Sequence, residues 1–118
     1  MPEYVLLLHS RDNVFDMLSP EEIQGVIQRY GNWRASLSEK GHPANGKKLR
    51  DRTGRVMKSG AGNPVITDGP YTEAREIIGG FFAFTADSFE QAVELAADCP
   101  HLEFGTIEIR EVERIAAG

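Results

Sequence analysis

Asp68 stands in the run Val65-Ile66-Thr67-Asp68-Gly69-Pro70-Tyr71, where an acid, a flexible Gly and a rigid Pro directly follow an apolar segment. This order predicts a tight turn that holds a carboxylate and a phenol at the end of a sheet. In a partly buried cleft such a carboxylate acts as a general base or orients a histidine. The structural alternative is equally concrete, because an Asp at a turn start accepts backbone N–H bonds and needs no other purpose.

Three histidines are candidate partners. His9 ends the first apolar run on the parity of Val5 and Leu7, which places it to reach a sheet-end pocket. His42 follows Gly41 at a helix end, an ordinary place for a solvated cation, and His101 follows Pro100 in a loop. Arg75 and Glu76 flank a strand. Glu108 and Arg110 share the polar parity of the last strand, opposite Ile107 and Ile109. Turned toward a second subunit, Glu108 and Arg110 would line a cleft and hold an anionic substrate; turned toward water, they are a solvated strand face. Tyr71 can wall a pocket, whereas Trp33 shares a helical stripe with Tyr30 and Leu37 and reads as core.

Other chemistry lacks support. Gly60-Ala61-Gly62 has neither the third Gly nor the Lys-Ser/Thr of a phosphate loop. No His/Cys spacing suits a metal, and Cys99, the single cysteine, reads as a buried apolar residue. Neither a metal nor a cofactor is expected. A net charge of −5 disfavours nucleic acid as a partner. Lys47, Lys48, Arg50, Arg52, Arg55 and Lys58 nevertheless concentrate positive charge around Asp51, enough to attract phosphate or an acidic protein. The alternative is a solubilising sheet edge. The first apolar run is too short, and preceded by Glu3, to read as a signal peptide. No stretch is long enough to span a bilayer, so a cytoplasmic protein is expected.

The elements that must position these groups are legible. With 118 residues, 41% hydrophobic and 26% charged, residues 1–118 make one globular domain. Residues 4–8 and 77–84 are apolar on both alternating faces and read as central strands. Ser19-Pro20-Glu21-Glu22 is a capping box opening a helix that Lys40-Gly41 closes, with Ile23, Val26, Ile27, Tyr30, Trp33 and Leu37 as its stripe. Gly25 and Gly31 inside it suggest a close approach of helix backbone to sheet. A basic hairpin pairs residues 47–50 with 55–58, with Gly54 in the left-handed position. The pair Gly79-Gly80 marks a bulge, bend or close backbone contact. A second helix begins at Asp87-Ser88, with Phe89, Ala92, Val93, Ala96 and Ala97 as its buried stripe and Pro100 as its stop. Residues 106–110 alternate as a half-wet last strand.

The order is β-α-β-β-α-β with an inserted hairpin, an α+β plan with two helices on one face of an antiparallel sheet. The uncovered face carries apolar side chains and calls for a partner, for which a second copy of the chain is the simplest candidate. Residues 65–71 (Asp68-Gly69-Pro70-Tyr71 within them), Glu76-Ile77-Ile78-Gly79-Gly80, Cys99-Pro100 and residues 105–110 together resemble the YCII-related family. Within it they are similar to the subgroup with an Asp-Gly-Pro-Phe motif, with Tyr71 in place of the usual Phe. That resemblance covers nearly the whole chain and implies ferredoxin-like units paired face to face as a dimeric α/β barrel. It also implies Asp68 near a pocket; the family's histidine has no motif position here, so placement alone selects His9 as the partner. The resemblance supports two readings. One is a cofactor-free acid–base enzyme using Asp68 and His9 on a small molecule, with Tyr71, Arg75, Glu108 and Arg110 as binding residues. The other is a non-catalytic ligand-binding or regulatory module with a protein partner, linked to sigma-factor signalling.

Overall fold

Ser19 Oγ accepts a hydrogen bond from the Glu22 amide at 3.1 Å, and the Glu22 carboxylate accepts one from the Ser19 amide at 2.9 Å. This capping box, with Pro20 in the first turn, opens helix α1 (Pro20–Glu39) as the sequence requires. Lys40 caps its other end, and Gly41 follows with φ +87°, the left-handed exit that favours glycine. The computed structural model describes residues 1–69 and 76–115.

Alternation builds the sheet. In β1 (Glu3–Ser10), Tyr4, Leu6, Leu8 and Ser10 are buried, while Val5, Leu7 and His9 on the opposite face are half-buried. Three further strands follow helix α1 before β5: β2 (Asn45–Lys48), and the pair β3 (Arg55–Lys58) and β4 (Val65–Asp68). In β5 (Ile77–Thr85), Phe82 and Phe84 are buried and Phe81 and Ala83 half-buried. Helix α2 (Phe89–Ala96), a 3-10 turn (Pro100–Glu103) and β6 (Gly105–Glu111) complete the chain. The main sheet runs β2-β5-β1-β6 with every pairing antiparallel, the ferredoxin-like order. At Gly79 the β1–β5 register slips, so that Leu8 faces Gly80 but His9 faces Ile78. The glycine pair thus makes a bulge. At Gly80 a Cβ would lie 2.8 Å from the Lys47 carbonyl, so it also permits close passage of β2.

Both helices cover the Tyr4, Leu6, Phe82 and Phe84 face. Trp33 is 5% exposed, meets Phe82 edge-on at 5.0 Å, and donates its indole N–H to the Leu95 carbonyl at 3.0 Å. Leu37 is buried beside it, and Cys99 is buried with its thiol pushed up to about 11 by desolvation. The helical stripes are less completely covered than their spacing implies. In α1, Ile23 and Val26 are half-buried and Ile27 is exposed. In α2 the buried residues are Ala92, Leu95 and Ala96; Phe89 and Val93 are exposed, a rotation consistent with the Trp33 anchor at Leu95.

Gly25 and Gly31 do not mark a close approach to the sheet. A Cβ built on either meets nothing within 4 Å. Each therefore costs helix propensity without a packing return. Gly25→Ala and Gly31→Ala should each raise stability by about 1 kcal/mol, read as a higher urea midpoint at unchanged slope.

The basic segment also folds differently from the expected hairpin. Residues 47–48 lie in β2 and pair with β5, whereas β3 pairs with β4. Between them Gly54 has positive φ, at 150°, and Arg52, not a glycine, takes the left-handed helical conformation at φ 57°. Asp12 and Asp16 explain this: the Asp12 carboxylate accepts the Arg52 amide at 3.2 Å, and Asp16 pairs with its guanidinium. A contact 36 or more residues away in sequence overrides the local preference for glycine. The inserted hairpin is thus the β3–β4 ribbon. All of its residues are exposed except half-buried Val56. The molecule is flat, 50 × 48 × 18 Å, the thickness of one sheet and one helical layer. Its radius of gyration of 16.6 Å exceeds the roughly 13.5 Å of a compact chain of this length.

Candidate functional site on the open sheet face

Cross-strand register assembles the exposed face. Leu7 lies opposite Glu108 on one side and Phe81 on the other; Val5 lies between Arg110 and Ala83; His9 lies opposite Thr106. Directly opposed residues share a face, so an apolar strip of Val5, Leu7, Phe81 and Ala83 runs beside a polar row from β6. Ile107 and Ile109 point the other way and pack against the core. The parity expected for Glu108 and Arg110 is the one observed.

His9 Nε2 meets Glu108 Oε1 at 2.9 Å, and Arg110 Nη1 lies 3.5 Å from Glu108 Oε2. The hydrogen bond from His9, aided by the charge of Arg110, holds the Glu108 carboxyl below its ordinary value of 4.5. With Glu108 accepting at Nε2–H, Nδ1 is the basic nitrogen of the neutral ring, and it meets no other described residue.

His101 supports this row from behind, a role that its sequence context does not announce. It is 4% exposed, in the 3-10 turn and not in an open loop. Its Nε2 lies 2.9 Å from the His9 carbonyl and its Nδ1 lies 3.0 Å from the Tyr30 hydroxyl. A carbonyl can only accept, so Nε2 carries the proton and Tyr30 donates to Nδ1. Burial pushes the ring below its ordinary value of 6.5, which keeps it neutral, and pushes the Tyr30 phenol up. Helix α1, the 3-10 turn and β1 are thus joined at His9 across 71 and 92 residues of sequence. Local patterning cannot foresee a link of that length. His42 is likewise buried and not solvent-exposed; its Nδ1 lies 2.7 Å from the Thr85 carbonyl.

The His101 ring gives a pH dependence whose sign is fixed. Its folded-state value lies below the unfolded one, so the unfolded chain binds the extra proton. The contribution to stability is complete above about pH 6.5 and is lost as pH falls from there through the folded-state value. Denaturation midpoints measured from pH 7.5 to 5 should decline in the wild type, with a flatter decline in His101→Gln.

Asp68 ends β4 with its side chain 93% exposed, and its carboxylate lies 3.5 Å from Arg55 Nη1. In this chain it is not in a partly buried cleft, and it makes no hydrogen bond or ion pair with a histidine among the described residues. Tyr71 and Arg75 lie outside the described residues. Within the described part, the structure brings together His9, Glu108 and Arg110 and leaves Asp68 on the ribbon. No helix among the described residues is long and apolar enough to cross a membrane.

The model of the YCII-related domain matches residues 2–116. The chain is also 24% identical over 110 residues to an uncharacterized protein of Rhizobium meliloti (strain 1021), covering 91% of this chain and 89% of that protein.

Proposed function

The chain belongs to the YCII-related family, whose fold it shares and which brings no assigned reaction, and on the site's geometry we propose that it is a small acid–base enzyme that needs no cofactor. The observation that carries this reading is the 2.9 Å hydrogen bond between His9 and Glu108 on a half-wet apolar face, with Arg110 beside it. Glu108 orients the ring and stabilises the imidazolium that forms when Nδ1 takes a proton. His9 then returns that proton at another position of the substrate, which is isomerase- or lyase-type chemistry. Arg110 provides the positive fork for a carboxylate or another anionic group, so the substrate class is a small anionic molecule. His101 and Tyr30 are positioning residues, since they act through the backbone of His9.

The reading includes a homodimer closed over the open face. Half-buried Val5, Leu7, Phe81 and Ala83 offer an apolar strip with no helix or strand among the described residues packed over it. Closure would exclude water from the His9–Glu108 pair and strengthen its electrostatics. A regulatory module recruiting an acidic protein through basic residues draws less support. Lys48 pairs with Asp51, Arg52 with Asp16, and Arg55 with Asp68, so much of that charge is neutralised within the chain.

Screening small metabolites by thermal shift tests the binding half of the proposal, because a ligand favouring the folded state raises Tm. Carboxylates or phosphorylated compounds should raise it, and Arg110→Ala should weaken their binding by about tenfold or more. Anion shifts that persist unchanged in Arg110→Ala would place the binding elsewhere.

A further inference from the structure

The β3–β4 ribbon is a two-stranded element with no core of its own, and such ribbons are marginal in water unless packed against something. Its register sorts its side chains. Arg55 lies opposite Asp68 and Met57 opposite Ile66, so these four share one face; Val56, Thr67, Lys58 and Val65 occupy the other. The first face therefore presents an apolar pair beside an ion pair. Met57 is 63% and Ile66 58% exposed, and the side chains of Arg55 and Asp68 are 68% and 93% exposed.

The open sheet face has the matching composition. Its apolar strip of Val5, Leu7, Phe81 and Ala83 borders the Glu108–Arg110 ion pair, also solvent-exposed at 44% and 69%. Apolar surface can meet apolar surface while Asp68 meets Arg110 and Arg55 meets Glu108, a charge complementarity of both signs. Both surfaces belong to the same chain, and the ribbon is a two-stranded sheet separate from the main four-stranded one. A twofold pairing satisfies two ribbons and two sheet faces at once, as an isologous interface requires.

We propose that the ribbon of each protomer lies across the open sheet face of a second copy of the chain and delivers Asp68 to the Arg110 side of the partner's His9–Glu108 pair. The inference rests on the dimeric acid–base reading above and completes it, because the site then draws residues from two chains. It accounts for a carboxylate at a strand end whose side chain is 93% exposed in one protomer.

Cysteine cross-linking in differently tagged copies tests it. One copy carries Ile66→Cys and the other Leu7→Cys; Cys99 is buried and its thiol is pushed up to about 11, so it does not compete. A short bismaleimide should yield the mixed product, separable by tag from either homodimer. Met57→Asp together with Ile66→Asp should weaken dimerisation at least about 100-fold in sedimentation, since two central apolar anchors are lost from each ribbon. These side chains are exposed, so circular dichroism should remain that of the wild type. A dimer that keeps its affinity in the double variant and gives only the Leu7→Cys homodimer product overturns the ribbon exchange while leaving the sheet-faced dimer intact. A wild-type chain that sediments as a monomer at all accessible concentrations overturns both.

Discussion

Turnover falls by a factor of about 100 to 10,000 in His9→Gln once a substrate is in hand, the range expected for loss of a positioned proton-transfer group. Glutamine keeps an N–H donor for Glu108, so the 2.9 Å contact and the strand register have a replacement, while no basic nitrogen remains. The loss should therefore appear in kcat with KM little changed, because Arg110 still holds the anionic group. Glu108→Gln leaves the base but removes the charge that stabilises the imidazolium, and should give a smaller drop in the same parameter. A His9→Gln protein with undiminished kcat would exclude His9 as the proton carrier.

Asp68→Asn provides a second arm of the same experiment. If Asp68 serves the partner's site, mixing His9→Gln and Asp68→Asn chains restores activity, because a mixed dimer contains one site with both native residues. Random exchange would return about a quarter of wild-type turnover. If both residues served a site within one protomer, every site in the mixture would keep a defect and no activity would return.

Gly105→Ala is expected to cost more than about 3 kcal/mol and to uncouple the site from the fold. A Cβ at this position would lie 1.9 Å from the His9 carbonyl oxygen and 3.1 Å from His101 Nε2. The first contact is with backbone held in the β1–β6 pairing, where Ser10 faces Gly105 and His9 faces Thr106, so no side-chain rotation relieves it. The strand end must move, and the His101 hydrogen bond to the His9 carbonyl is the first to be lost. Chemical denaturation should show a sharply lowered midpoint, and the pH dependence assigned to His101 should weaken with it. The same substitution at Gly25 or Gly31 has the opposite sign, since open space surrounds those positions. An unaltered midpoint in Gly105→Ala would show that the β1–β6 junction tolerates a side chain and that His9 is not held there.

Much of this molecule is legible in its amino-acid order because the signals are local. The Ser19 capping box, the Gly41 exit, the alternation of β1 and β5, the burial of Trp33 and the face shared by Glu108 and Arg110 all follow from spacings of two to four residues. Local signals also set the family plan, since each strand and helix declares itself before any contact between them forms. Long-range contacts decide the rest. Arg52 adopts a glycine-like conformation only because Asp12 and Asp16 hold it there, and β2 leaves the basic segment to pair with β5. His101 is a neutral structural link and not a loop residue only because Tyr30 and the His9 carbonyl converge on it. Glu108 becomes the partner of His9 because β6 lies beside β1, an adjacency created by chain topology across 99 residues and invisible to any local pattern.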